Sequence, residues 1–306
     1  MAHGSKTVIY AALVANGLIA VTKFGAAAMT GSAAMMAEGI HSLVDTGNQG
    51  LLLLGLKRAA KPADAQFPFG HGKEIYFWSF VVAILVFALG AGISIYEGVH
   101  RTLHPAEITN PLINYIVLAV AFAFESVAWW MAWRQFRAFQ GGRSITRAVQ
   151  ASKDPTNFVI LFEDTAALLG LVVAAVGLML SEALEMPIFD GLASIAIGLI
   201  LAITATWLAI RCKSLLIGEA ADPALVADIR RRVAALDGVV AVNEVLTLHM
   251  GPTDVLLNIS VDFRDDRPAG DVEATIEALT QDIRAAHPSI TRVFIEVESA
   301  RNGNHP

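Results

Sequence analysis

Glu38-Gly39-Ile40-His41-Ser42-Leu43-Val44-Asp45 is the stretch that decides how this chain folds. It lies inside an apolar run from Met29 to Leu56. A membrane-spanning helix needs roughly 20 mostly apolar residues, so the run can cross a bilayer. The spacing i, i+3, i+7 puts Glu38, His41 and Asp45 on one helix face. Ionisable groups at membrane depth are costly and usually line a pathway or a site. An imidazole and a carboxylate one turn apart make half of a transition-metal site. The structural alternative is a His–Asp hydrogen bond that only packs helices together. Asn48 and Gln49 carry the polar stripe one turn further.

Composition agrees with a membrane protein. Of 306 residues, 55% are hydrophobic and only 16% charged, with mean hydropathy +0.56, whereas soluble domains are about a quarter charged. The formal net charge is -6, with much of the acid in the last third. Cys212 is the only cysteine, which excludes an intrachain disulfide and a cysteine-based zinc motif. No His-Glu-x-x-His pattern argues for a membrane metalloprotease, and no enzyme activity is expected. An acidic chain without a basic cytoplasmic domain is no candidate for nucleic-acid binding. The first apolar run continues past Lys23 into another span, so a cleaved signal peptide is not expected.

Six spans are expected, from about Thr7 to Met29, to Leu56, Ile75 to Ile95, Leu112 to Trp133, Asn157 to Leu180 and Ile188 to Ile210. Thr30-Gly31-Ser32 is a tight link, so the first two form an antiparallel hairpin. Lys57, Arg58, Lys61, Lys73, Arg134, Arg137, Arg143, Arg147, Lys153, Arg211 and Lys213 collect on one side, while only Arg101 falls in the opposite loops. The positive-inside rule then puts both termini in the cytoplasm. Residues 1–212 are read as an α-helical membrane transport domain and 213–306 as a small cytoplasmic α+β domain. In the latter, helix Pro223–Leu236, strands Val240–His249 and Val255–Phe263, helix Val272–Ala286 and strand Thr291–Val297 give the order α-β-β-α-β. Lys23 is expected to snorkel to the interface. Glu125 is read as a proton relay or a buried hydrogen-bond partner, and Asp190 as the cap of its own helix.

Taken together, the chain resembles the cation diffusion facilitator family of divalent-metal transporters. The resemblance rests on the six spans, on Ala37 to Asp45, on Phe69-Gly70-His71-Gly72-Lys73-Glu74 in a basic loop, on the acid of the fifth span, and on the α-β-β-α-β tail. It implies two ligands four apart in the second span, matching His41 and Asp45, and two more in the fifth. Asp164 matches the second of these, but the position four earlier is Ile160, which cannot bind a metal. The site is then three protein ligands plus water, or recruits a fourth from Glu163, Glu38 or Asn157. Glu163 sits about 100° round the helix from Asp164. His71, with Asp64, either takes metal on its way in or is a loop histidine held by a turn. The family's tail dimerises and in some members binds metal through histidines. Asn243, Ser260, Glu296 and Glu298 stand at those positions here, so a homodimer is expected and a tail metal site is not. His249 and His287 are expected on the solvated surface.

The implied activity is export of a divalent metal in exchange for protons. Imidazole plus carboxylate favours zinc, with cobalt, iron and manganese behind it. Metal ligands must lose protons to bind, and an imidazole ordinarily titrates near 6.5, which suits it to such an exchange. No resident cofactor is expected; the partners are the metal, protons, the bilayer and a second copy. A passive metal channel and a non-transporting sensor or scaffold are the alternatives. With no organellar targeting segment visible, a bacterial inner membrane is the simplest location.

Overall fold

The computed structural model describes residues 2–299, without the side chains of 2–12, 14, 15 and 157. It divides into two compact units, residues 1–57 with 75–213, and 58–74 with 214–306.

The first unit is helical. Helices α1 (Ala2–Thr30) and α2 (Ala33–Ala59) form the expected hairpin. Gly31 turns the chain at φ 73°, a left-handed conformation that a side chain would strain. The third span is α3 (Glu74–Leu85), a π-helical turn (Val86–Ala91) and α4 (Gly92–Leu103) in continuous succession. Helix α5 (Pro111–Gln140) follows, then the short α6 (Ile145–Ala151), α7 (Thr156–Ala183) and α8 (Ile188–Ile217). Several helices outrun the apolar cores read from sequence, because a helix continues through polar turns until a cap ends it. Helix α6 was not foreseen in the basic stretch; the Ser144 side chain caps it by accepting from the Arg147 N–H. Among the described residues, four helices are long and apolar enough to cross a membrane: Glu74–Leu103, Pro111–Gln140, Phe158–Ala183 and Ile188–Ile217. Helix α2 has the length, at 27 residues, but the stripe from Glu38 to Gln49 makes it less apolar.

Small residues set the helix spacing. A Cβ on Gly98 of α4 would lie 2.6 Å from the Ile195 nitrogen of α8, and one on Gly191 of α8 would lie 2.9 Å from the Gly98 oxygen. Such contacts let two backbones approach within the bilayer, where packing rather than hydrophobicity drives association.

The second unit is a two-layer α+β domain. Helix α9 (Pro223–Ala234), strands β1 (Val239–Gly251) and β2 (Asp254–Phe263), helix α10 (Ala269–Ala286) and strand β3 (Ile290–Val297) keep the expected order. The sheet runs β1-β2-β3, with β1 antiparallel and β3 parallel to β2. Ile229 and Val233 of α9 pack with Leu257, Ile259 and Val261 of β2 and with Leu279 and Ile283 of α10, all buried. Alternation along β2 and i, i+4 spacing along the helices dictate this core.

Residues 58–74 belong to this unit. Arg292 of β3 donates to the Pro68 carbonyl at 2.9 Å and lies over the Phe69 ring at 4.9 Å. A Cβ on Gly72 would sit 2.4 Å from the Met250 carbonyl oxygen, so the β1–β2 turn requires glycine there.

Candidate metal centre

Asp190 fixes the entry of α2. Its carboxylate accepts from Ser32 Oγ and the Ala33 N–H, both at 2.5 Å, and from the Ala34 N–H at 3.3 Å. Asp190 thus caps α2, 157 residues away, rather than only its own helix α8. A carboxylate on the free N–H groups of a helix start is favourable twice, through hydrogen bonds and through the helix dipole.

Lys23 corrects an expectation. It is fully buried, and its Nζ donates to Glu38 Oε2 and Ser42 Oγ, each at 2.8 Å. Snorkelling fails because Lys23 and Glu38 stand at mirror positions of the α1–α2 hairpin, and a buried charge is tolerated when paired. That symmetry about Gly31 was a signal present in the sequence. Glu38 therefore spends one oxygen on Lys23, while Oε1 lies where a Cβ on Gly170 of α7 would come within 2.3 Å. Of the fourth-ligand candidates it is the one already held by a cation.

One turn on, His41 is 1% exposed. Its Nε2 stands 3.4 Å from Asp45 Oδ2. Both His41 nitrogens, Asp45 Oδ1, Asn48 Oδ1 and Gln49 Oε1 are buried without a hydrogen-bond partner among the described residues. Buried polar atoms normally find partners, and leaving them bare costs about 1–3 kcal/mol each.

Helix α7 brings the acids. Phe158 and Phe162 pack on Trp207 of α8, with ring centroids 6.1 and 4.4 Å apart. This sets the rotation of α7. Glu163 is buried and accepts from Asn48 Nδ2 at 3.1 Å, which ties α7 to α2. Asp164 lies within electrostatic reach of Asp45 and of Glu125 on α5. Ile160, Asp164, Ala167 and Leu171 form one stripe at i, i+4, i+7, i+11. Ala167 and Leu171 are each 1% exposed, yet Ile160 is 39% exposed. The stripe is therefore buried at Ala167 and Leu171 and exposed at Ile160, the end nearer Thr156.

The structure brings His41 to Asp45 and Glu163 to Asn48, and commits one Glu38 oxygen to Lys23 while leaving the other buried without a partner among the described residues. Among the described residues, no three His, Cys, Asp or Glu side chains converge on a point that could hold a metal ion. The Asn157 side chain lies outside the described residues. Asn48 was seen in the sequence only as part of the polar stripe; its bond to Glu163 is the contact that pattern missed.

In residues 58–74, His71 Nε2 pairs with Asp64 Oδ2 at 2.9 Å, and Asp64 Oδ1 accepts the Gln66 and Phe67 N–H groups at 2.9 and 2.7 Å. The His71 bond, then that of the Phe67 N–H, holds the Asp64 carboxyl below its ordinary range. Each residue has a partner in the loop fold. The tail histidines also have partners. His249 is buried with Nδ1 3.2 Å from the Gly251 oxygen, and His287 Nε2 lies 3.0 Å from Asp228 Oδ2. Neither is the solvated residue expected, because the β1–β2 turn encloses the first and a carboxylate holds the second. Asn243, Ser260 and Glu298 do assemble, but as a hydrogen-bonded set: Asn243 Nδ2 donates to Ser260 Oγ at 3.2 Å, and Ser260 Oγ to Glu298 Oε2 at 3.1 Å.

Apolar helices of membrane length packed around buried ionisable groups define a multi-pass integral membrane protein. Residues 9–217 match the family model described as the cation efflux transmembrane domain. The chain belongs to this family, the cation diffusion facilitators. Over 262 residues it is 35% identical to the human proton-coupled zinc antiporter SLC30A9, mitochondrial, covering 85% of this chain and 46% of that protein. It is 33% identical over 220 residues to Metal tolerance protein C4 of Arabidopsis thaliana, covering 71% of this chain and 48% of that protein. The chain spans about half the length of these relatives.

Proposed function

We propose that this protein exports a divalent cation, zinc before others, in exchange for protons by alternating access. His41, Asp45 and Asp164 hold the ion, and Glu163 stands beside them. The observation that carries this reading is the His41 imidazole: buried inside the helical unit, without a hydrogen-bond partner at either nitrogen among the described residues, and one turn from Asp45. A neutral imidazole and carboxylates are what zinc takes as ligands, and they must shed protons to bind it. Proton return on the far side then releases the ion. The printed name of the human relative, a proton-coupled zinc antiporter, supports both cargo and coupling.

In this reading α1 and α2 are also spans, giving six, with both termini and the basic loops in the cytoplasm. The tails of two copies pair through residues 213–306. Cobalt, iron and manganese are weaker cargo. A bacterial inner membrane remains our choice of location; the human relative is named mitochondrial, and either membrane would supply a proton gradient.

A second reading has one observation in its favour. The lack of three converging donors among the described residues suits a sensor or scaffold that binds without transport. Zinc flux into proteoliposomes separates the readings. Export predicts uptake that accelerates when the compartment receiving zinc is acidic. Uptake indifferent to the pH gradient means a channel, and zinc binding without uptake means a sensor.

A further inference from the structure

We propose that Glu125 of α5 is a ligand of the transported ion, supplied by a third helix. The inference rests on reading this bundle as a metal transporter. It answers the question that Ile160 raises, namely where a fourth donor comes from.

Helix α5 has one buried stripe through its first half: Asn114, Leu118, Ala121 and Glu125, at spacings of four, three and four. Asn114 Oδ1 accepts from Thr30 Oγ1 of α1 at 2.9 Å, while its Nδ2 is buried without a partner among the described residues. Glu125 is the charged group on that stripe. It is 7% exposed and hydrogen-bonds to none of the described residues. Trp129, one turn later on the same face, donates Nε1 to Thr165 Oγ1 at 2.9 Å. Thr165 is next to Asp164, so this bond docks the Glu125 face of α5 against the Asp164 turn of α7. Glu125 lies within electrostatic reach of Lys23 first, then of Asp45, His41 and Glu38, and of Asp164 on α7.

A carboxyl buried at mid-helix in a membrane needs a partner or a purpose. Packing does not supply the partner, since Trp129 and Thr165 already join the two helices without it. Glu163 is held by Asn48, and Glu38 already neutralises Lys23 through Oε2, although its Oε1 is buried without a partner among the described residues. Glu125 costs no existing bond to recruit. With His41 nitrogen and one oxygen each from Asp45, Asp164 and Glu125, zinc has four donors from three helices, the number it takes in closed tetrahedral sites. Among the described residues these donors do not converge on one point, so the proposed site requires that loading bring α5 and α7 closer to α2.

The test is zinc titration of the full-length purified protein, read as metal-dependent thermal stabilisation, with flux in proteoliposomes alongside. Removing a ligand should cost no less than removing an outer-shell partner, about 10–100-fold in affinity. Glu125→Gln should therefore raise the zinc Kd at least about tenfold, with the metal-free melting temperature kept. Glu125→His keeps a donor, so it should retain binding and move metal preference from manganese toward zinc. Zinc affinity in Glu125→Gln equal to wild type overturns the ligand while the transport reading stands. Equal losses in both variants together with a lowered metal-free melting temperature also overturn it, since that marks a packing role. A wild type with neither zinc stabilisation nor zinc flux overturns both readings.

Discussion

The tail and the middle of the helical unit hold similar residue types and treat them in opposite ways. In the tail, Asp228 meets Arg232 at 2.7 Å and His287 at 3.0 Å, and Asn243, Ser260 and Glu298 bond to one another. Around α2 and α5, both His41 nitrogens and one Asp45 oxygen are bare, and Glu125 has no hydrogen bond to a described residue. The solvent-facing domain could afford loose ends, yet it ties them; the membrane unit cannot cheaply carry them, yet it does. Other buried polar atoms of the helical unit, such as Ser79 Oγ and Ser94 Oγ, also lack partners among the described residues, so what singles out this cluster is that its bare atoms are an imidazole and a carboxylate one turn apart, the donor types a transition metal takes. Lys23 and Glu38 sharpen the contrast, because they show that this same bundle can pair buried charges when pairing is the purpose.

The largest effect expected from breaking this contrast is at Asp45. Asp45→Asn keeps the shape and removes the ligand charge. Zinc transport should fall to the background of empty liposomes, with zinc Kd raised by at least about tenfold. Transport at half the wild-type rate or more would place Asp45 among packing residues.

A smaller, opposite change is expected at Ile160, which shares a stripe with Asp164. Ile160→His sets an imidazole one turn from Asp164 at the exposed end, and zinc titration should show tighter binding by about tenfold, ~1.4 kcal/mol. Unchanged affinity in a folded protein would mean that position 160 does not face the ion.

The tail should show the smallest effects. Expressed from Lys213, it has its own core and should dimerise, yet calorimetry should find no tight zinc site, since Asn243, Ser260 and Glu298 already satisfy one another. Its pH response should follow Asp228, whose carboxyl is pulled from 3.8 to about 2, first by Arg232 and then by His287. A folded value below the unfolded one means the unfolded chain takes up the proton first on acidification. The contribution is full above 3.8 and disappears as pH falls through about 2. Melting of the wild-type tail should therefore drop more steeply across that window than melting of Asp228→Asn. Parallel curves would show the pair to be idle.

Much of this was legible in the sequence for physical reasons. Strand alternation and helix spacing located the elements of the tail within a few residues, because its core residues recur at the periods of strand and helix. Spacing also placed His41 and Asp45 on one face. Contacts between segments distant in sequence were not legible. Nothing near Asp190 says that it caps α2, and nothing in Pro68 or Phe69 says that Arg292 will hold them. The Lys23–Glu38 pair was legible in principle, since the tight turn at Gly31 fixes which positions face each other. The electrostatic proximity of Glu125 to Asp164 was not, because helix packing creates it and no sequence spacing links α5 to α7.

The most direct test of the central claim is a flux assay on wild type and His41→Asp, with zinc and manganese, at two outside pH values. His41→Asp keeps a ligand but replaces nitrogen by oxygen, which favours harder metals. It also replaces a group that is cationic when protonated by one that is neutral when protonated. The zinc-to-manganese rate ratio should fall about tenfold, and acceleration by a mildly acidic outside should weaken. An unchanged ratio and an unchanged pH response would contradict the account, and the His41 face of α2 would then be packing alone.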